Sequence, residues 1–369
     1  MRQFWVCVGL VLAACGGVVE ERNPAPEVLS FDEEYLTGLL EEHATATLGL
    51  GVLRGGELVW SGYFGEQAPG VPASRQSMFN TASVSKAVTA ETVLALVAAG
   101  EIDLDEALAP TWVDPDVADD PRHRTLTPRL VLTHRTGFPN WRYQAEDGKL
   151  AFDQDPGSVF GYSGEGFQYL RRFVEAKLGR PFEEQVREHV FEPLGMTASL
   201  VVARPELEDR LVVPRPADGS VVEPNVQAPG AANAADDFFT TIEDYAKLLA
   251  TLVEPATGLE RDKQSLQSDA SGHPHWQCVP TAVWSCPTSH GFGLGWLVFE
   301  WPDRKLVWHG GNDAEEHAIG YIDPRTGDGA IAFANGASGM LAMLDALDLI
   351  DDRPPIVEFY RALLAAHAG

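Results

Sequence analysis

The chain has 369 residues, 45% apolar and 22% charged, which excludes a disordered chain and supports a sizeable core in two closely packed lobes. Its 54 acidic against 27 basic residues leave a formal net charge of −27, which excludes nucleic acid and anionic lipid headgroups as charge-driven partners. No basic run argues otherwise.

In chain order, the first feature is a short basic start at Met1-Arg2-Gln3. An apolar run from Phe4 to Ala13 follows, too short to span a bilayer. Leu12-Ala13-Ala14-Cys15 then resembles a bacterial lipobox. The expectation is a lipoprotein signal peptide over residues 1–14 and lipidation of Cys15. A flexible tether over 15–30 would follow, with export to the bacterial cell envelope, on the outer membrane or in the periplasm. Membrane contact would be through the lipid anchor alone. An ordinary signal peptide cut nearby, or a buried strand, is the alternative for the same residues.

Leu48 to Arg54 and Glu57 to Tyr63 read as strands joined by a Gly55-Gly56 hairpin turn. Ser83 to Ala99 reads as a buried helix, apolar nearly all round, with Gly100 as its stop. The segment 101–286 is mostly helical. Gly164 to Leu178 and Phe182 to Val190 are amphipathic, and Thr240-Thr241-Ile242-Glu243 suggests a capping box opening a helix to Leu252. Strand-like runs return at Gly293 to Phe299, Leu306 to Trp308, Ala318 to Ile322 and Gly329 to Ala334. Met340 to Leu349 and Ile356 to His367 read as closing helices. The organisation expected is one domain over 31–369. An α/β lobe would come from about 31–100 and 287–369, and a helical lobe from about 101–286, with a cleft between them.

Cys7 falls inside the signal segment, which leaves Cys278 and Cys286 in the folded part. An exported chain would close that short loop with a disulfide. His273, His275 and His290 lie nearby, but the spacing fits no common zinc set, so no metal is expected.

The chemistry begins at Ser83-Val84-Ser85-Lys86. A spacing of three puts Ser83 and Lys86 on one helical face, in a first turn whose free N–H groups favour developing negative charge. A serine hydroxyl needs a base, and a lysine neutralised by burial can serve. Lys86 sits in a largely apolar helix, where an unneeded charge is costly. Gly161-Tyr162-Ser163-Gly164-Glu165 approaches a nucleophile elbow but ends in Glu165 rather than glycine. His134 reads as a capping or packed histidine. The acidic pairs Asp119-Asp120, Asp236-Asp237 and Asp351-Asp352 read as solvated surface.

Phe79-Asn80-Thr81-Ala82-Ser83-Val84-Ser85-Lys86 resembles the nucleophile segment of the serine β-lactamase-like family. That family takes in class C β-lactamases, D-alanyl-D-alanine carboxypeptidases and related esterases. The resemblance continues in order through Leu130 to Gly137, Pro156 to Ser163, Gly291 to Trp296 and Trp308 to Gly311. It covers the chain from about Phe31 to the C-terminus. It implies a β-lactamase-like (penicillin-binding-protein transpeptidase-like) α/β fold: an antiparallel sheet flanked by helices, plus a helical lobe. It implies catalytic roles for Ser83 as nucleophile, Lys86 as base and Tyr162 as proton carrier, phenol or phenolate. His309-Gly310-Gly311 would stand at the family's Lys-Thr-Gly triplet, with the N–H groups of Ser83 and Asn312 as oxyanion hole. No cofactor is implied. The partner is a small ester or amide substrate.

The sequence departs from the family twice. Tyr162-Ser163-Gly164 lacks the asparagine of Tyr-x-Asn, which removes an amide and leaves space at Gly164. His309 replaces a permanent cation with a titratable group. Both favour ester hydrolysis over a β-lactamase or a D-Ala-D-Ala carboxypeptidase. The alternative of another class is an inactive envelope binding protein, against which the intact Ser83, Lys86 and Tyr162 argue.

Overall fold

Gly55 and Gly56 take φ of +59° and +82°, the left-handed pair that a two-residue hairpin requires. The computed structural model describes residues 29–216, 218–253, 258–280, 285–351 and 355–367. The signal segment, Cys7, Cys15 and nearly all of the tether lie outside the described residues. In chain order the strands are β1 (Thr47–Arg54), β2 (Glu57–Ala68), β3 (Val71–Pro72), β4 (Phe79–Asn80), β5 (Ser199–Leu200), β6 (Phe239–Thr240), β7 (Ser268–Asp269), β8 (Ser289–Phe292), β9 (Leu297–Glu300), β10 (Lys305–Asn312), β11 (Glu316–Ile322) and β12 (Gly329–Asn335). The helices are α1 (Glu33–Glu42), α2 (Ser85–Ala98), α3 (Pro128–Leu132), α4 (Gly164–Leu178), α5 (Phe182–Val186), α6 (Glu192–Leu194), α7 (Ile242–Ala250), α8 (Leu259–Lys263), α9 (Gly339–Ile350) and α10 (Pro355–His367).

Nine strands form one antiparallel sheet in the order β3-β2-β1-β12-β11-β10-β9-β8-β7. The first long strand pairs with the last, Thr47 opposite Asn335 and Leu53 opposite Gly329. Both faces of the centre are covered, so β1 and β12 are buried almost throughout and do not alternate with polar residues. Successive side chains point to opposite faces. Gly49 and Gly51 face α7, where a Cβ at Gly51 would lie 2.6 Å from Ile242 Cγ2. Leu48, Leu50 and Val52 face the other way, toward α9. On β11 a Cβ at Gly320 would lie 2.2 Å from Tyr245 Cε1, so the missing side chain is what admits α7.

The structure redraws several expected boundaries. Helix α7 is capped by Thr241, whose Oγ1 accepts the Asp244 N–H, one position later than the expected box. It lies on the sheet, and β7 extends that sheet, so the helical lobe ends well before residue 286. A small second sheet, β4-β6-β5, was not anticipated. Gly293 to Trp296 is a turn rather than the start of a strand, with Gly295 at φ +81°. The helix expected over Phe182 to Val190 changes to a π-helical turn at Arg187–Phe191. Cys278 and Cys286 are joined in a disulfide.

Candidate active site

Strand β4 delivers the chain into a tight 3₁₀ turn, Ala82–Val84, that feeds α2. Ala82 takes φ +46°, a left-handed conformation costly for a residue with a Cβ. Asn80 holds it there: its Oδ1 accepts the Ala82 N–H at 3.0 Å, and its Nδ2 donates to Glu316 at 2.6 Å. The turn presents Ser83 to the cleft. One turn later Lys86 is fully buried, and its Nζ donates to Ser83 Oγ at 3.0 Å and to the Ala235 carbonyl at 2.8 Å. The same nitrogen stands 4.8 Å from the centre of the Tyr162 ring. Burial lowers the Lys86 pKa to about 8, and Asp236 opposes that shift by favouring the ammonium.

That role for Asp236 corrects the sequence reading of Asp236-Asp237 as solvated. Asp237 is 6% exposed and accepts from Gln227 and Asn233. Burial raises the Asp236 pKa to about 6, with Lys86 pulling it back down.

Tyr162 hydrogen-bonds Ser83, and burial pushes its phenol above the ordinary range, which keeps it neutral at working pH. Its ring stacks on His134 at 4.4 Å and 25°. His134 is buried at φ +52° and its Nδ1 accepts the Ser163 N–H at 3.0 Å, so its proton sits on Nε2. Burial holds the imidazole neutral. His134 therefore aims the tyrosine loop. Ser163 is spent as the cap of α4: its Oγ accepts the Gly166 N–H and donates to the Pro139 carbonyl.

Across the cleft, β10 pairs with β9 only as far as Trp308 opposite Leu297, and beyond that its edge is open. The Asp313 N–H donates to the Glu316 carbonyl on β11, so alternation turns the Asn312 N–H outward off the open edge. A Cβ at Gly311 would lie 1.9 Å from the Thr81 carbonyl oxygen and 3.1 Å from Ser83 N, so glycine alone lets the strand meet the nucleophile turn. Ser83 and Asn312 border one cavity of about 310 Å³. His309 Nδ1 donates to the Gly310 carbonyl at 2.8 Å, and burial followed by the Lys86 charge lowers its pKa to about 3. This corrects the expectation of a titratable group there: His309 stays neutral through any working pH.

Gly164 is corrected as well. Its lost side chain leaves no space, because a Cβ there would lie 2.6–2.9 Å from three atoms of the Trp141 indole. An amide does reach the cavity, from Asn140, whose Oδ1 accepts the Gly164 N–H at 2.9 Å. Arg142 pins this loop through ion pairs to Asp114, Asp116 and Glu165. The cavity is walled by Trp276, Trp308, Phe359 and Tyr360. Sequence reading missed Asn140, Trp141, Trp276, Phe359 and Tyr360, and met Trp308 only within a strand-like run and as the start of the motif ending at Gly311. The adjacent Phe359-Tyr360 pair in an Ala- and Leu-rich helix was the one local hint.

The family model described as Beta-lactamase matches residues 33–352. "Penicillin-binding protein 4" of Amycolatopsis lactamdurans is 26% identical over 325 residues, covering 82% of this chain and 84% of that protein. "Lovastatin esterase" of Penicillium rubens is 28% identical, covering 65% of this chain and 76% of that protein. Among solved structures, the octameric penicillin-binding protein homologue from Pyrococcus abyssi superposes with a TM-score of 0.65 at 20% identity, covering 89% of this chain and 78% of that one. An antiparallel sheet carrying a Ser-x-x-Lys turn, matched along most of its length by the family model, places this chain in the beta-lactamase family of serine hydrolases.

Proposed function

We propose that this serine hydrolase forms its acyl-enzyme on Ser83 and acts on small uncharged esters in preference to β-lactams or carboxylate-bearing peptides. The observation that carries the reading is the fully buried Lys86 with its Nζ 3.0 Å from Ser83 Oγ. With a pKa of about 8, roughly a tenth of the lysine is neutral at pH 7 and able to take a proton. As Ser83 Oγ bonds to the ester carbonyl carbon, its proton moves to Lys86. The oxyanion rests on the N–H groups of Ser83 and Asn312, which are fixed before the reaction begins. Tyr162, a neutral phenol beside both groups, gives its proton to the departing alkoxide as the C–O bond breaks and takes the proton held by Lys86 in return, which leaves the lysine neutral again. Water then attacks the acyl carbonyl with Lys86 as base, releasing the acid and restoring Ser83.

Two features support esters. His309 is neutral, and no lysine or arginine is among the described residues lining the cavity, so those residues offer a substrate carboxylate no cation on the cavity wall. The place of the family's asparagine is filled by Trp141, although the Asn140 amide stands nearby. The test is fluorophosphonate labelling located by mass spectrometry, with kcat/KM for p-nitrophenyl acetate and for nitrocefin. Label on Ser83, lost in Ser83→Ala, with faster ester turnover, is the expected result. Nitrocefin turnover matching the ester would instead favour a β-lactamase.

We also propose export with lipidation at Cys15, supported by the run Leu12-Ala13-Ala14-Cys15. The full chain expressed in a bacterium should fractionate with membranes, and Cys15→Ala should release it. A wild-type protein wholly soluble and cleaved elsewhere would overturn the anchor.

A further inference from the structure

The middle residue of His309-Gly310-Gly311 has no side chain, and the volume it leaves is occupied. A Cβ at Gly310 would lie 2.2 Å from Tyr360 Oη and 3.4 Å from Tyr360 Cζ. The tyrosine comes from α10, about 50 residues further along the chain. Its ring meets Trp308 edge to face at 5.7 Å, which fixes its direction. The side chain lines the cavity that holds Ser83. Burial keeps the phenol protonated, and Tyr162 lies close enough to reinforce that shift. A serine or threonine at 310 would project a hydroxyl into the same small region. The fold supplies that group from a helix instead.

We propose that Tyr360 is a specificity-determining residue that donates a hydrogen bond to a neutral acceptor oxygen on the alcohol part of the substrate. The proposal rests on the Ser83 esterase reading. Tyr162 must reach the leaving oxygen, and Tyr162 and Tyr360 line the same cavity, which assigns the departing alcohol to this wall. Trp276, Trp308 and Phe359 make the wall aromatic, and no lysine or arginine is among the described residues that line it. The alcohol it fits is uncharged and aromatic or branched, with an ether, keto or ester oxygen. A good substrate hydrogen bond to a fixed donor is worth about three- to ten-fold in kcat/KM.

The test compares matched acetates: the three methoxybenzyl acetates against the corresponding ethylbenzyl acetates, which replace the acceptor oxygen by a methylene. The wild type should prefer at least one methoxy isomer by about three- to ten-fold. Tyr360→Phe removes only the hydroxyl and should bring that ratio close to one, with an unchanged circular dichroism spectrum. In the double variant Gly310→Ser/Tyr360→Phe the new Cβ gains room and a strand hydroxyl returns, so the ratio should recover. Gly310→Ser alone meets Tyr360 Oη and should lose activity on both esters. A wild type that does not favour any methoxy isomer, or a ratio unmoved by Tyr360→Phe, overturns the assignment while fluorophosphonate labelling of Ser83 leaves the esterase reading intact. Failure of that labelling overturns both.

Discussion

In the proposed mechanism Lys86 sets the pH at which the site can work. With the neutral lysine as base and its pKa at about 8, kcat/KM for an ester should fall about tenfold per pH unit below that value. Tyr162 stays protonated well above it, so no second loss is expected until strongly alkaline pH. Asp236 favours the ammonium. Asp236→Asn removes that support, lowers the Lys86 pKa, and should move the acid limb to lower pH; a pH–rate profile of both proteins checks the direction. A limb that moves upward would mean that Asp236 does not act on Lys86. Gly164→Asn offers a second residue-scale test. The new Cβ lands on the Trp141 ring, and overpacking of this kind costs about 1–3 kcal/mol. We expect a lower melting temperature and slower ester hydrolysis, with no gain on nitrocefin. Adding Trp141→Ala should recover the stability. Ser83 and Lys86 were legible because both lie within one helical turn. Asn140, Tyr360 and the burial of Asp236 were not, because each is brought to the site from a distant segment and a pair such as Asp236-Asp237 carries no local mark of the lysine it will face.

At the scale of elements, the hairpin β1–β2, the strands β11 and β12 and the helices α4, α9 and α10 all follow from local pattern. Short apolar runs or helical spacing, bounded by Gly55-Gly56, Gly179 or the Pro354-Pro355 pair in the sequence, are enough. Where neighbours decide, local pattern fails. Gly293 to Trp296 looks strand-like because it is apolar, yet Gly295 turns the chain under α2, where a Cβ would lie 2.1 Å from Ala90 Cβ. The short β7 has only two residues and no signal apart from its pairing with β8. The seating of α7 on the sheet gives a direct test. Gly320→Ala must displace Tyr245, which is fully buried, so a loss of about 1–3 kcal/mol is expected by denaturant melting. A neutral Gly320→Ala would show that α7 is free to shift. Its effect on the ester pH profile should be nil, since no group in the site changes charge.

At the scale of the molecule, the β-lactamase-like fold was legible from several motifs in order, while the lobe boundary near residue 286 was not, because α7 and β7 join the sheet from inside the helical segment. The Cys278–Cys286 bridge closes a separation of 8 residues, a loop for which chain entropy gives about 2.5 kcal/mol. Cys278→Ser/Cys286→Ser should lower stability by about that much without altering the Ser83 labelling rate; an unchanged midpoint would mean the loop is already ordered without it. The pairing of β1 with β12 has a different kind of consequence. The centre of the sheet joins residue 47 to residue 335, so it cannot close until nearly the whole chain is available. Until then β1, apolar on both faces, has one side without a partner, and such a strand invites pairing with other chains. Folding dominated by contacts this remote in sequence is slow, because the closure entropy is spent before the contacts repay it. During synthesis the hairpin leaves the ribosome long before its partner, and a product truncated ahead of Gly329 would hold an open central edge for good. In the cell such a fragment would be work for chaperones and proteases.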